Sequence, residues 1–151
     1  MAKRKSMQDD ACPVARALDL VGDRWSLLLV RDAFDGVCRF SDFQRHLGMA
    51  RNILSDRLAA LVGAGVLAVQ PASDGSAYQE YVLTDRGRSL FPLVVALRQW
   101  GEQYLFANGE AHSQLLTQDD GAPLAPMLPR DQHGRALSAG DTYVKKLQQN
   151  K

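Results

Sequence analysis

From Arg39 to Leu67 the apolar positions fall into two helical stripes with a break between them. Phe43 and Leu47 lie four residues apart and belong on one face of a first short helix. Ser41 precedes this run and Gln44 follows three residues on, the spacing of a capping box, so the helix is expected to start there. Gly48 is its stop, because glycine takes the left-handed C-cap conformation at least cost. A second, longer helix is expected from about Arg51 to Ala64, with Leu54, Leu58 and Leu61 as its buried stripe and Gly65 beyond its end. With Leu54 turned inward, Asn52, Ser55, Asp56 and Ala59 point outward and Arg51 stands at the exposed start. That face carries small, hydrogen-bonding side chains and no large apolar residue.

The flanking pattern extends this reading. Pro13 suits a first helical turn, where its missing N–H matters least, which puts Cys12 at or beside an N-cap. Val14, Leu18 and Val21 mark the buried side of this helix and Gly22 ends it. Asp23 is expected to cap the next helix, DRWSLLLVRDAF. Trp25, Leu27, Leu28, Leu29 and Val30 make that helix apolar nearly all round, so it belongs at the centre of the domain. Cys38 to Phe40 suggest a very short strand. Leu67 to Pro71 and Gln79 to Leu83 alternate as strands, and Asp74–Gly75 between them is a hairpin signal.

Thr84 or Asp85 is expected to cap a long helix through about Leu105, bent or restarted at Pro92. Its apolar face is broad: Leu90, Leu93, Val94, Leu97, Trp100, Gly101 and Leu105. A helix this apolar at the end of a small domain either seeks a second copy or covers its own wing. After Asn108 the helical period is lost, and Gly121 and Gly134 mark turns in an irregular β appendage. The fold class that follows is mainly α with a small β-hairpin wing (α+β), a winged helix-turn-helix dimerising through terminal helices. The chain divides into a basic tail (1–10), the winged helix with its dimerisation helices (11–107) and the appendage (108–151).

Charge changes the picture only locally. The net charge is +1, which is not that of a broadly basic nucleic-acid binder. Lys3, Arg4 and Lys5 form a basic start without an acid. Arg39, Arg45, Arg51 and Arg57 cluster in the helix-turn-helix against Asp42 and Asp56. No signal peptide or membrane-length apolar run is present in the sequence, so a cytoplasmic protein is expected. The two cysteines, Cys12 and Cys38, are then expected as thiols. They and the three scattered histidines lack metal-ligand spacing, and no cofactor is implied.

An exposed polar helix face of this kind fits base edges in a major groove, with the helix start near a phosphate. Arg51, Asn52 and Ser55 are the candidates for base edges, and Ser41 and Arg45 for the backbone. Ala50 opens the recognition helix. Arg57 and Arg39 either join the DNA contact or brace the fold through an acid. Ser73, Asp74, Gly75 and Ser76 form the wing tip. The DNA partner would be a pseudo-palindromic duplex, one half-site per protomer. An ordinary helical hairpin with a solvated face shows the same pattern. A winged-helix adaptor that binds protein, and a thiol peroxidase built on Cys12, are the rival functions. The peroxidase lacks a histidine or acid near Cys12 in a motif.

The order CPV, then LVGDRW and LLLVRD, RFSDFQR, NILS, RLAAL and YVLTDRGRSLFPLV resembles the HxlR family of winged-helix transcription regulators, relatives of the MarR regulators. The resemblance spans about residues 12 to 105. It implies a dimeric DNA-binding regulator, a repressor or an activator, with Val14, Leu18, Leu93, Leu97, Trp100 and Tyr104 at the dimer seam. Gly22 and Trp25 fall on its GxxW, Arg39 and Phe40 on the pair before the helix-turn-helix, Leu54, Arg57 and Leu58 on the recognition-helix core, and Leu83, Thr84 and Gly87 on the end of the wing. Cys12 holds the place of a cysteine with which many such regulators sense oxidants or electrophiles. The helix N-terminus and Arg16 would favour its thiolate. An oxidant or a small molecule is the implied inducer. The chain departs from the family pattern at Ala50, where a serine is usual, and at the wing tip, which lacks Lys and Arg. The appendage lacks the cysteines that hold zinc in some longer relatives, so a metal-free remnant is expected.

Overall fold

The computed structural model describes residues 5–148; Lys3 and Arg4 of the expected basic tail and the last residues of the chain lie outside them. Two compact units make up the chain, Met1–Phe91 and Pro92–Lys151. The first carries the elements read as a winged helix: α1 (Pro13–Val21), α2 (Ser26–Phe34), α3 (Phe40–Leu47), α4 (Arg51–Gly63), β1 (Leu67–Pro71), β2 (Gln79–Leu83) and α5 (Asp85–Arg88).

Pro13 opens α1 as expected, with Cys12 at the N-cap position. Of the residues expected on its buried side only Val21 is buried; Val14 and Leu18 are exposed, so the expectation that they face this chain's own core is corrected. Helix α2 begins at Ser26, later than expected for an Asp23 cap. Asp23 caps at a distance: its carboxylate accepts the backbone N–H of Trp25 (2.9 Å) and of Ser26 (3.0 Å) as well as the Ser26 hydroxyl. Residues 23–25 therefore form the turn that delivers these donors, and they cannot also be helical. Arg57 of α4 reaches the same carboxylate at 3.5 Å. Partial burial works against ionisation of Asp23, yet these hydrogen bonds outweigh it and hold its pKa below the ordinary value.

Helix α3 starts two residues earlier than a capping box on Ser41 requires. Arg39 is its N-cap, no side-chain cap bond forms, and Ser41 lies inside the first turn. Gln44 instead turns its amide toward the Met49 carbonyl. Gly48 closes α3 in the left-handed conformation, φ 62°. Phe43, Leu29, Val30, Leu54, Leu58, Leu61, Val66 and Leu67 fill the core, joined by Met49 from the turn between α3 and α4.

The hairpin pairs Leu67 with Leu83 through Pro71 with Gln79, antiparallel. The short strand expected at Cys38–Phe40 is absent; a single backbone bond, from the Tyr81 N–H to the Cys38 carbonyl (2.7 Å), stands in its place. The helix expected from Thr84, bent or restarted at Pro92, is two helices, so the restart is what the chain does. Thr84 caps the short α5 by accepting the Gly87 N–H (3.0 Å) and donates its hydroxyl to the Gly65 carbonyl. The chain then turns at Ser89 and Leu90, and α6 (Phe91–Tyr104) starts afresh with Pro92 in its first turn.

In the second unit α6 is followed by irregular chain with two isolated bridges, Leu116 with Pro123 and Arg130 with Ala136. Gln99 ties this chain to α6: its side chain donates to the Ala125 carbonyl (3.0 Å) and accepts the Met127 N–H (2.7 Å). Gly121 and Gly134 occupy turns with positive φ.

Gly87 sits where α5 meets the end of β1, and a Cβ there would overlap the Val66 carbonyl oxygen. Gly87→Ala is expected to destabilise the fold by about 1–3 kcal/mol through overpacking. Gly63→Ala, in open space at the end of α4, should instead stabilise it by up to ~1 kcal/mol. Urea unfolding of the two variants checks this opposite sign.

Candidate nucleic-acid interface

Helix α4 presents the face that its apolar stripe dictates. With Leu54, Leu58 and Leu61 buried, Arg51, Asn52, Ser55, Asp56 and Ala59 are all exposed. Ile53 is also 39% exposed at the edge of this face, a large apolar residue that the expected face did not include. Ala50 is the N-cap of α4 and supplies no side-chain cap bond. At the amino end of the helix the Arg51 guanidinium lies over the Phe40 ring, 5.2 Å from its centroid.

The arginines divide by partner. Arg45 pairs with Asp42 on its own helix at 2.6 Å and is largely exposed. Arg57 turns to Asp23, which is the bracing alternative. Arg39 forms an ion pair with Asp74 at the wing tip, and its guanidinium lies 5.5 Å from the centre of the Tyr78 ring. Ser41 is exposed. Arg39, Phe40, Ser41, Arg51, Tyr78 and Gln79 thus line an open cleft of about 660 Å³ between the helix-turn-helix and the wing. Phe40, Tyr78 and Gln79 were not among the residues expected at the site. The RF pair and the tyrosine just past the wing tip were the available signal.

The wing tip is braced from within. Glu80, buried on β2, accepts the backbone N–H of Ser73 (3.1 Å) and its hydroxyl (3.0 Å). The Ser73 N–H is the main reason the Glu80 carboxyl lies below its usual pKa. Asp74 accepts the Ser76 N–H at 2.9 Å and the Arg39 guanidinium, and these donors hold its carboxyl far below the ordinary carboxylate range. Gly75 supplies the left-handed residue of the turn, φ 75°. The Ser76 hydroxyl is buried without a hydrogen-bond partner among the described residues.

Cys12 is exposed at the start of α1. Its backbone N–H is taken by the Asp10 carboxylate (2.8 Å), and Arg16, expected to support the thiolate, binds the Asp10 carbonyl. Cys38 is half-buried, and burial followed by the Glu80 charge pushes its thiol pKa up. The residues expected at a dimer seam are exposed on each unit: Val14 and Leu18 on α1, and Leu93, Leu97, Trp100 and Tyr104 on α6. The Trp100 and Tyr104 rings pack at a tilt of 48°, their centres 5.4 Å apart. No helix among the described residues is long and apolar enough to cross a membrane.

Known proteins share this arrangement. The solved structure of PA1607, described as a transcription factor, is 52% identical and superposes with a TM-score of 0.89, covering 94% of this chain and 99% of that one. The HTH-type transcriptional regulator Mb3122 of Mycobacterium bovis is 50% identical over 92 residues, 61% of this chain; the match spans 58% of the length of that relative. The redox regulator HypR in its reduced form is 31% identical, with a TM-score of 0.56 over 61% of this chain and 92% of its own. The HxlR-like helix-turn-helix pattern matches residues 20–108. Helix-turn-helix, wing and sequence agree, and the chain belongs to the HxlR-like helix-turn-helix family of transcription regulators.

Proposed function

We propose that the chain is a homodimeric regulator that reads a pseudo-palindromic DNA operator in the cytoplasm and has no catalytic activity of its own. The observation that carries this reading is the exposed face of α4, with Arg51, Asn52 and Ser55 at its amino-terminal half. Such side chains meet base edges when a helix lies in the major groove: Asn52 suits adenine, and Arg51 suits guanine or the adjoining phosphate. Ser41 and Arg45 on α3 reach the backbone beside it. Arg57 acts through Asp23, holding α4 against α2 rather than touching DNA.

Two half-sites one helical turn apart require two protomers. On α1, Val14 (65%) and Leu18 (50%), and on α6, Leu97 (49%) and Trp100 (57%), are exposed in the single chain, and each face offers apolar surface to a second copy. The likeness to the redox regulator HypR favours an oxidant or electrophile as inducer, acting at the exposed Cys12. The inducer changes the pairing of the protomers, and with it the spacing of the two recognition helices.

Asn52→Ala is expected to reduce binding to the DNA upstream of the protein's own gene by about 5–100-fold, the value of one good base contact, while leaving random-sequence binding unchanged. Equal loss on both duplexes, measured by fluorescence anisotropy, contradicts base reading. Trp100→Glu should convert a sedimenting dimer to monomer with helix content retained; a monomeric parent protein sinks the dimer. Hypochlorite or a quinone should release DNA from the parent protein and leave the Cys12→Ala complex intact. Release from both removes Cys12 from the sensing role.

A further inference from the structure

The ion pair across the cleft joins two groups with opposite relations to DNA. Arg39 stands at the N-cap of α3 and lines the cleft together with Ser41 and Arg51. Asp74 belongs to the wing, whose tip from Ala72 to Tyr78 contains no Lys or Arg. Arg39 reaches the wing tip from α3, and its guanidinium is already engaged by a carboxylate there. That carboxylate is fixed in place: one oxygen holds the Ser76 N–H and the other holds Arg39. The Tyr78 ring under the guanidinium fixes it from the other side.

A guanidinium donates to a carboxylate or to a phosphate oxygen alike, and here one Arg39 nitrogen donates to one Asp74 oxygen. The cleft is open, about 660 Å³, large enough for a sugar–phosphate unit, and Arg51, Ser41 and Gln79 line its other walls. Resting on the DNA-binding reading above, we propose that Asp74 is an internal stand-in for a DNA phosphate: it occupies the seat on Arg39 that a backbone phosphodiester takes in the complex. Binding then proceeds by exchange. The phosphate displaces the carboxylate, the wing tip swings off Arg39, and the freed Asp74 charge is left facing the duplex. Asp74 attenuates affinity for any duplex, because the exchange involves the backbone and carries no sequence information. Affinity for random DNA is suppressed along with affinity for the operator, so discrimination stays with α4.

The test compares the full-length parent protein with Asp74→Asn, Arg39→Gln and the double variant, on operator and random duplexes, from low to moderate salt. Asparagine keeps the bond from the Ser76 N–H and removes the charge; thermal melting confirms that each variant is folded. Asp74→Asn should bind both duplexes about two- to fivefold more tightly per protomer, the range of an exposed ion pair. Arg39→Gln should flatten the slope of log affinity against log salt by about one per protomer, one phosphate lost, whereas Asp74→Asn should keep the parent's slope because Arg39 meets the same phosphate in both. The double variant should bind like Arg39→Gln, with no gain. Unchanged or weaker binding by Asp74→Asn overturns the proposal, because Asp74 would then be absent from the exchange or would orient Arg39 toward DNA. A gain that survives in the double variant overturns it too, since bulk charge would be the cause. If the attenuation fails while Asn52→Ala still loses discrimination, the DNA-reading function stands by itself. If the parent protein binds neither duplex at low salt, that function falls and the attenuation with it.

Discussion

Burying Leu54, Leu58 and Leu61 sets the rotation of α4 about its own axis, and the outward face has no freedom left. At 3.6 residues per turn, three inward leucines force Asn52, Ser55, Asp56 and Ala59 to solvent. Full burial of each leucine side chain contributes roughly 1.5–3 kcal/mol, far more than any exposed polar contact would. The recognition face is thus a by-product of the core. Asp23 adds the second restraint: one carboxylate starts α2 and holds Arg57 of α4, so the helix that reads outward is tethered to the helix buried deepest. Arg57 turns back from α4 to Asp23, whereas Arg51, Asn52 and Ser55 on the same helix face solvent.

What the sequence made legible was periodic, and what it concealed was tertiary. Both strands of the wing were placed to the residue, because alternation and an Asp–Gly turn are local signals. The rotation of α4 was equally plain from its leucines. The start of α2 was misplaced, since Asp23 caps through an intervening turn that no spacing rule announces. The Ser41–Gln44 spacing does not mark the start: α3 begins at Phe40 with Arg39 at its N-cap, which places Ser41 inside the first turn where it cannot cap. Cys38 reads as strand in the sequence, and its carbonyl accepts one N–H from Tyr81 of the wing, which is as much sheet as the chain makes there. Pro92 marked the break before α6 correctly, but only the structure chose restart over bend. Arg39 was left between bracing and DNA, and its partner lies 35 residues away at the wing tip, beyond any pattern in the sequence.

A net charge of +1 and a family of DNA-binding regulators are compatible because charge acts over short distances. At physiological salt the screening length is about 8 Å, so the cleft between the wing and α3 responds to the guanidiniums that line it and hardly to acids elsewhere. Aromatic rings carry those guanidiniums: Phe40 beneath Arg51 and Tyr78 beneath Arg39. A ring limits the arc an arginine sweeps while leaving its hydrogen-bond donors open. Two flexible cations become directed ones without an anion to neutralise them, save where Asp74 does so at Arg39.

The contact of Gly87 with the Val66 carbonyl brings backbone against backbone, with no side chain between. Side chains absorb small displacements by changing rotamer; a peptide group touching an alpha carbon cannot. The Thr84 hydroxyl locks the same junction to the Gly65 carbonyl. Helix α5 and the root of the hairpin therefore act as a rigid lever, and a shift imposed on the one is passed undamped to the other.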